Sequence, residues 1–281
     1  EAYLFYDSER GKEYKINNHK ALQHHEDRLR VVLFTPDDLY LVKGSPDKRR
    51  GFMDSLLKNL YPQYSYYYNN YGKILKKRNL LLRSGTYEPS SFKIINELYA
   101  ENAVPIILAR IKLIHSLEEN SLLHCRDMNE EGIVKIRYAL SFPVISGKIN
   151  LDIVRESMLN ALREKYPEEV RRKTSLIGPH LDDMHIYLND RIARDYASQG
   201  QLRTLAVSLK LAEIHTMRAI TGFYPVFLID DVLSELDENR KQKLLDYLQR
   251  AEFQSFLTAV SLGDLNCPQG AVKQVAGGQI R

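Results

Sequence analysis

Four small polar residues stand directly before a long helical pattern in the last third of the sequence. They are Ser198-Gln199-Gly200-Gln201, and the apolar positions Leu205, Leu209, Ala212 and Met217 follow at near-helical spacing. The tetrad is therefore predicted to begin a helix, where backbone N–H groups are free and the helix dipole is positive. Gly200 lets a ligand approach the backbone closely. Because the free N–H groups and the dipole favour negative charge, the expected ligand is an anion such as a γ-phosphate.

Two acidic residues follow a short apolar run further along the chain. Val226-Phe227-Leu228-Ile229 is predicted to be a strand buried on both faces, and Asp230 and Asp231 come directly after it. Ligands of open α/β sheets bind at the carboxyl ends of the strands. One carboxylate there can hold Mg²⁺, directly or through water, while its neighbour orients an attacking water.

Each motif alone is common, either as a capped helix or as a strand that meets a solvated loop. Their order in one chain, followed by Ser234-Glu235-Leu236-Asp237, is much more specific. Together they resemble the signature motif, Walker B strand and D-loop of ABC-type ATPases and, among these, the RecF family of bacterial recombination proteins. Further runs that resemble the family are Pro36-Asp37-Asp38-Leu39, Lys43-Gly44-Ser45-Pro46, Arg78-Asn79-Leu80-Leu81-Leu82, Gly178-Pro179-His180-Leu181-Asp182-Asp183 and Leu209-Lys210-Leu211-Ala212-Glu213.

The resemblance implies a role for each motif. Asp230 would hold Mg²⁺ through water, and Asp231 would replace the catalytic glutamate, where its shorter side chain predicts slow turnover. In this architecture a signature helix cannot reach its own Walker B edge, so Ser198-Gln199-Gly200-Gln201 would contact the γ-phosphate of ATP held by a second copy. Ser234-Glu235-Leu236-Asp237 would lie at the seam of that ATP-dependent homodimer.

The sequence contains no G-x-x-x-x-G-K-[ST] stretch, which ABC-type ATPases need to hold the β- and γ-phosphates. RecF-like proteins carry this P-loop upstream of the segment that resembles Glu1 onward. The resemblance therefore predicts that this chain is an N-terminally truncated piece. ATP and Mg²⁺ are expected as cofactors of the intact protein, which would be a weak DNA-dependent ATPase, but not as ligands of this chain alone.

The function implied by the resemblance is DNA replication and recombinational repair in the bacterial cytoplasm. The protein would bind double-stranded and gapped DNA at single-strand/double-strand junctions and work with RecO and RecR to load RecA. Two alternatives stay open. The first is a non-enzymatic module that binds DNA or a protein partner. The second is an SMC-like chromosome protein, although the arm is short for one, because such proteins need long heptad repeats.

The composition is compatible with these functions and excludes others. The chain has 281 residues, of which 44% are hydrophobic, and a net charge of +4 permits a nucleic-acid partner without proving one. No apolar run is long enough to span a membrane, and the N-terminus has no signal-peptide pattern. Cys125 and Cys267 lie in no metal-spaced cluster and are predicted to be reduced cytoplasmic thiols.

The pattern of elements predicts an α/β fold, and the resemblance implies that it is an incomplete ABC-type ATPase head, without the P-loop part, carrying an inserted helical arm. Residues 1–42 are predicted to be strands of the first head lobe, 43–130 the helical arm, and 131–281 the remaining head. Prolines at Pro46 and Pro62 indicate helix starts, and Ser84-Gly85 indicates a helix end. A third long helix, with Pro105 inside it, would complete an antiparallel pair.

The arm also contains two basic runs, Lys48-Arg49-Arg50 and Lys76-Lys77-Arg78, close to many tyrosines. Basic groups between aromatic rings suit a nucleic-acid backbone and exposed bases, so the runs are candidate DNA contacts. The competing interpretation is a solvated helix face with tyrosines packed between helices.

The run Gly178-Pro179-His180-Leu181-Asp182-Asp183 departs from the family at Leu181, where the family has arginine. His180 and His185 are predicted to be structural, because no set of ligands at metal spacing accompanies them. Asp182 and Asp183 could bind a cation, but an exposed loop is the favoured interpretation.

Overall fold

The computed structural model describes a defined part of the chain, to which all structural statements below refer. The described residues are 2–7, 11–16, 19–20, 29–128, 132–145, 149–260, 270–276 and 278–280, with the backbone alone before residue 29. The sequence also predicts a hairpin at the start of the chain, with a turn-rich stretch from Ser8 to Lys12 between two strands. Residues 8–10 of that stretch, the run Ser261-Leu262-Gly263-Asp264 and the thiol of Cys267 lie outside the described residues.

The strands form four small sheets. They are β1 Ala2–Asp7, β2 Gly11–Ile16, β3 His19–Lys20, β4 Val31–Phe34, β5 Val134–Ala139, β6 Asp183–Leu188, β7 Arg191–Ile192, β8 Val226–Asp230, β9 Ser255–Thr258, β10 Val275–Ala276 and β11 Gln279–Ile280. Among the described residues the orders are β1-β2-β3, β4-β8-β9, β5-β6-β7 and β10-β11; β4-β8-β9 is parallel and the other three sheets are antiparallel. The predicted hairpin is confirmed, since β1 and β2 pair antiparallel with Ala2 opposite Ile16.

The helices begin and end close to the predicted positions. They are α1 Tyr40–Lys43, α2 Pro46–Leu60, α3 Pro62–Ser84, α4 Pro89–Asp127, α5 Leu151–Arg172, α6 Ala193–Tyr196, α7 Gln199–Thr221 and α8 Glu238–Arg250. Proline is the first residue of α2, α3 and α4, where its fixed φ suits a helix start and its missing N–H is not needed. Gly85 ends α3 with φ of 67°, a left-handed conformation that glycine adopts readily.

The two longest helices of the predicted arm share a core with the head. Helix α4, which is 39 residues long, packs along α7 as well as α3. Two side-chain pairs join α4 to α7: Ser116 lies 3.1 Å from Thr216, and the Cys125 thiol lies 3.2 Å from the Ser208 hydroxyl. Because α4 of the predicted arm packs along α7 of the predicted head, the packing does not separate the two as domains. The domain boundaries at 43 and 130 stay a prediction.

The parallel sheet has one buried and one partly open face. Val32, Phe34, Phe227 and Ile229 are almost fully buried, with the Phe34 and Phe227 rings stacked at 6.3 Å. On the other face Leu33 of β4 is 50% exposed and Phe256 of β9 is 54% exposed, while Leu228 between them is half-buried. The prediction that β8 is buried on both faces is therefore wrong for the described residues, because side chains alternate along a strand and only one face is covered.

Candidate nucleotide and dimer site

Helix α7 begins at the predicted polar tetrad. Ser198 is the N-cap residue: its hydroxyl accepts from the Gln201 backbone N–H at 3.2 Å, while the Gln201 side chain accepts from the Ser198 N–H at 3.0 Å. This reciprocal capping box satisfies two of the four N–H groups that a helix start leaves free. The N–H groups of Gln199 and Gly200 have no acceptor within the helix and are the donors available to an anion.

The second predicted group lies at the carboxyl end of β8, as expected. The Asp230 carboxylate is exposed and accepts from the Thr258 hydroxyl at 2.7 Å, while the same hydroxyl accepts from the Asp231 N–H at 3.1 Å. Asp231 has φ of 51°, the left-handed region, so the chain turns sharply after the strand. Thr258 of β9 thus orders both acidic residues. The apolar run from Phe256 to Val260 predicts this strand, but no pattern in the sequence pairs Thr258 with two residues that lie 27 and 28 positions away.

The predicted D-loop forms a 3₁₀ turn, Val232–Glu235, followed by the start of α8. Ser234 and Asp237 are exposed, and the Ser234 hydroxyl donates to the Asp231 carbonyl at 2.7 Å. Leu236 is only 4% exposed, so the structure contradicts its assignment to a dimer seam. Its side chain instead buries apolar area and anchors the loop to the core.

Two arginines join the signature helix to the D-loop. Arg203 donates to Glu235 at 3.1 Å, and Arg240 of α8 donates to Thr204 at 2.9 Å. Neither arginine was singled out in the sequence, since their partners lie 32 and 36 residues away. As a result, the start of α7, the D-loop and the start of α8 form one connected surface, and the bond from Ser234 to the Asp231 carbonyl extends it to Asp230 and Asp231 at the end of β8. This surface is called the edge below.

The residues at the edge fit Mg²⁺ only together with a phosphate ligand. Among the described residues no group of three or more His, Cys, Asp or Glu side chains could hold a metal ion. Mg²⁺ is commonly held by one or two carboxylates together with substrate phosphates and waters. The exposed carboxylate of Asp230 suits that arrangement, in which the phosphates supply most of the ligands.

Two of the three residues in the first basic run, Arg49 and Arg50, form hydrogen bonds within the protein. Arg49 is 2% exposed and forms two hydrogen bonds of 2.8 Å to the Asp183 carboxylate. Arg50 donates to the Asp182 carbonyl at 2.7 Å and keeps little exposure. The assignment of Arg49 as a DNA contact is therefore wrong, because exposing it would leave a buried carboxylate unpaired. Lys48 is exposed and stays a candidate.

The second basic run divides in the same way. Arg78 is fully buried, with a bidentate contact to Glu169 and a hydrogen bond of 2.7 Å to Ser175. Its assignment as a DNA contact is also wrong, since both charged groups are removed from solvent. Lys76 and Lys77 are exposed, so their predicted contact with DNA stays a prediction.

The run from Gly178 to Asp183 anchors the arm to the head. Asp182 and Asp183 are 0% and 7% exposed, so the expectation of an exposed loop is wrong. His180 Nδ1 lies 2.6 Å from the Tyr71 hydroxyl, and burial lowers the pKa of His180 to about 4. A neutral, hydrogen-bonded imidazole agrees with the structural role predicted for this residue. Leu181, in contrast, is exposed.

A third buried arginine joins the same region. Arg110 of α4 pairs with Asp54 at 2.8 Å and donates to the Pro179 carbonyl at 2.7 Å. The three pairs Arg49–Asp183, Arg78–Glu169 and Arg110–Asp54 are called the buried arginine pairs below. The first two pairs join α2 and α3 to the segment 169–183. The third joins α4 to α2, and Arg110 reaches the same segment through the Pro179 carbonyl.

No helix among the described residues is both long and apolar enough to cross a membrane. No protein-family model matches the chain.

Comparison with curated proteins, however, finds relatives along most of the chain. The chain is 37% identical over 262 residues to the DNA replication and repair protein RecF of Enterococcus faecalis, covering 91% of this chain and 70% of the relative. It is 39% identical over 266 residues to RecF of Shouchella clausii, covering 92% of this chain and 71% of the relative.

Solved structures agree with the sequence relatives. One, of the recombination mediator protein RecF-ATPrS in the RecFOR pathway, has a TM-score of 0.85 at 28% identity, covering 99% of this chain and 75% of that one. Another, of RecF-ATP in the same pathway, has a TM-score of 0.81 at 30% identity, covering 94% and 71%. The predicted α/β fold of an ABC-type ATPase head is thereby confirmed, and the chain belongs to the RecF family of DNA replication and repair proteins.

Proposed function

We propose that this chain supplies the signature, Walker B and D-loop part of an ATP-dependent DNA-binding switch. The observation that carries the proposal is the edge: its helix start has free N–H groups, and its D-loop is bonded through the Ser234 hydroxyl to Asp231, next to the Asp230 carboxylate that Thr258 orders. The related structures were described with ATP or ATPrS, and in the RecFOR pathway. Support for nucleotide binding and for RecO and RecR as partners thus comes from relatives.

The proposed roles follow from the chemistry of each group. Asp230 would hold Mg²⁺ through water, and Asp231 would orient the water that attacks the γ-phosphate. The start of α7, through Ser198, Gly200 and Gln201, would contact ATP bound to a second copy. Bound Mg-ATP would supply the phosphate charge that holds the two copies together, and loss of the γ-phosphate would remove that differential contact.

The proposed DNA function is binding at gapped DNA and single-strand/double-strand junctions, with RecO and RecR, to load RecA. The exposed Lys48, Lys76 and Lys77 are the remaining cationic candidates of the arm. Lysine ammonium groups bind phosphates without reading sequence, which suits recognition of a DNA shape.

The first test uses light scattering on the chain joined to the P-loop segment that the family carries upstream. We expect the mass to double with Mg-ATP in the parent and not in Ser198→Arg, which blocks the start of α7. The matched control is Ser90→Arg, at an exposed serine in the first turn of α4, and it should dimerise like the parent. A parent mass that ATP does not change would contradict the switch and leave a DNA- or partner-binding scaffold.

A further inference from the structure

The starts of α7 and α8 are joined by one side chain. Arg240 donates from Nε to the Thr204 hydroxyl at 2.9 Å, in the second turn of α7. A guanidinium N–H of the same residue pairs with Asp237, which is the N-cap residue of α8 and the last residue of the D-loop. The signature helix and the D-loop therefore share one cationic group.

The position of Arg240 needs compensation. A cation beside a helix N-terminus meets the positive end of the helix dipole, which disfavours it. Asp237 supplies the opposite charge, and hydrogen bonds from the backbone and side chain of Arg240 lower the pKa of Asp237. Thr204 is fully buried and donates in turn to the Gly200 carbonyl at 3.1 Å. Arg240 is thus linked through Thr204 to Gly200, whose backbone N–H group is free.

Gly200 makes room for this arrangement. A Cβ added to Gly200 would lie 2.9 Å from a guanidinium nitrogen and 3.0 Å from the central carbon of Arg240. A side chain at this position would therefore require the guanidinium, which Nε bonds to Thr204, to shift. In the structure, the space left by this glycine is used by an arginine of the same chain, in addition to any ligand that approaches the free N–H groups.

The second link between the same elements is weaker. Arg203 donates to Glu235 at 3.1 Å, but the two side chains are 37% and 42% exposed. Exposed ion pairs contribute little, because water and salt screen them. The ion pair of Arg240 with Asp237 is also partly exposed, at 27% and 51%, so the buried part of the connection between α7 and the D-loop is the bond from Arg240 to Thr204, which is 0% exposed.

We propose that Arg240 is a positioning residue that fixes the signature helix start against the D-loop, so that both reach the second copy as one unit. This inference rests on the proposed function, in which both elements face ATP across the dimer seam. It assigns Arg240 no contact with the nucleotide. Its effect is to reduce the ordering that the signature and D-loop must undergo when the dimer forms.

One test measures the contact in the 281-residue chain without nucleotide. Gly200→Ala should lower Tm in the parent, by about 2–4 °C if 1 kcal/mol is lost in a chain of this size class, because it displaces Arg240. In the Arg240→Ala background the same change should leave Tm unchanged or raise it, since alanine favours a helix. Additive effects of the two substitutions would contradict the contact.

A second test measures its consequence in the chain joined to the P-loop segment. Arg240→Gln should raise the ATP concentration for half-maximal dimer by about tenfold, the factor that corresponds to 1.4 kcal/mol. Arg240→Lys should give a similar loss, because lysine keeps the charge but not the planar fork that spans Thr204 and Asp237. Arg250→Gln, at the exposed end of α8, is the matched control.

The outcomes separate the two proposals. If the parent dimerises with ATP and Arg240→Gln needs no more ATP, or Arg240→Lys restores the parent value, positioning by Arg240 is wrong. If the parent ignores ATP, the proposed switch fails, and the Tm measurements still decide whether Arg240 joins α7 to the D-loop. A parallel loss of Tm and dimer in all variants, including Arg250→Gln, would indicate general destabilisation and overturn the inference.

Discussion

The buried arginine pairs and the edge both contain arginines paired with carboxylates, but the two regions differ in how far these groups are exposed. In the buried pairs, Arg78 and Glu169 are both removed from water. At the edge, Arg203, Glu235 and Asp237 keep a third or more of their side-chain surface exposed. A buried charge strongly resists loss of its partner, whereas an exposed one is held weakly and can exchange partners. The first region is thus suited to holding the arm on the head, and the second to meeting a ligand or another copy.

The largest expected effect comes from breaking a buried pair. Arg78→Ala leaves the fully buried Glu169 without its cation, and removal of one partner from such a pair costs about 3–5 kcal/mol. We expect that loss in the free energy of unfolding measured with urea. Lys77→Ala, at the exposed neighbour, should stay within about 0.5 kcal/mol of the parent. Equal effects at the two positions would remove the distinction between the regions.

At the edge, a substitution should change chemistry and leave stability alone. In the chain joined to the P-loop segment, Asp231→Asn should lower ATP hydrolysis by about 10²-fold or more, because the side chain can no longer accept the proton of the water. ATP-dependent dimers should persist, as measured by light scattering. Hydrolysis near the parent rate would show that another group orients the water.

A pH experiment tests a third region, where the end of α4 meets α7 and α8. The ring of His124 lies 4.8 Å from that of His215, tilted by 37°, and burial together with His215 lowers the pKa of His124 to about 4. Above the ordinary value, both the folded and unfolded states are neutral at His124. As pH falls below about 6.5 the unfolded state takes up the proton first, so stability is lost progressively down to about pH 4.

The expected size of this effect is roughly 1 kcal/mol between pH 7.5 and 5.5 for one such histidine. Urea unfolding of the parent and of His124→Phe at both pH values isolates it, because the other titrating groups are common to both. A variant whose stability changes with pH as much as the parent's would exclude His124 as the source.

The smallest expected effect is at the exposed lysines. Lys76→Gln with Lys77→Gln should weaken binding to a labelled gapped duplex and reduce its salt dependence by about one phosphate contact for each lysine. Fluorescence anisotropy across a salt series measures both. Lys112→Gln, an exposed lysine of α4 outside the basic runs, is the control. Unchanged affinity in the double variant would exclude Lys76 and Lys77 as DNA contacts and leave Lys48 as the candidate of the arm.

Local signals in the sequence were enough to predict most element boundaries. Pro46 and Pro62 marked helix starts, Gly85 a helix end, and Ser198 the start of α7, because each acts through its own backbone geometry. The order of the site motifs along the chain likewise predicted the family.

The partners of charged residues were not predictable in the same way. Arg49 and Lys48 belong to one basic run, yet Arg49 is buried and Lys48 is exposed. The sequence does not show this difference, because the partner of Arg49, Asp183, lies 134 residues away. The same holds for Arg78 and Glu169, at a separation of 91 residues. Composition reports the charge of a segment, but burial depends on which distant element packs against it. The open face of β8 was missed for that reason too.

The hydrogen bonds of the Thr258 hydroxyl affect the entropy of ion binding at the end of β8. It has a single proton, which it gives to one oxygen of Asp230, and it accepts the N–H of Asp231. The orientation of the Asp230 carboxylate is therefore set by a neighbouring strand before any ion arrives. The conformational entropy of fixing it is lost when the chain folds and does not have to be lost again on binding.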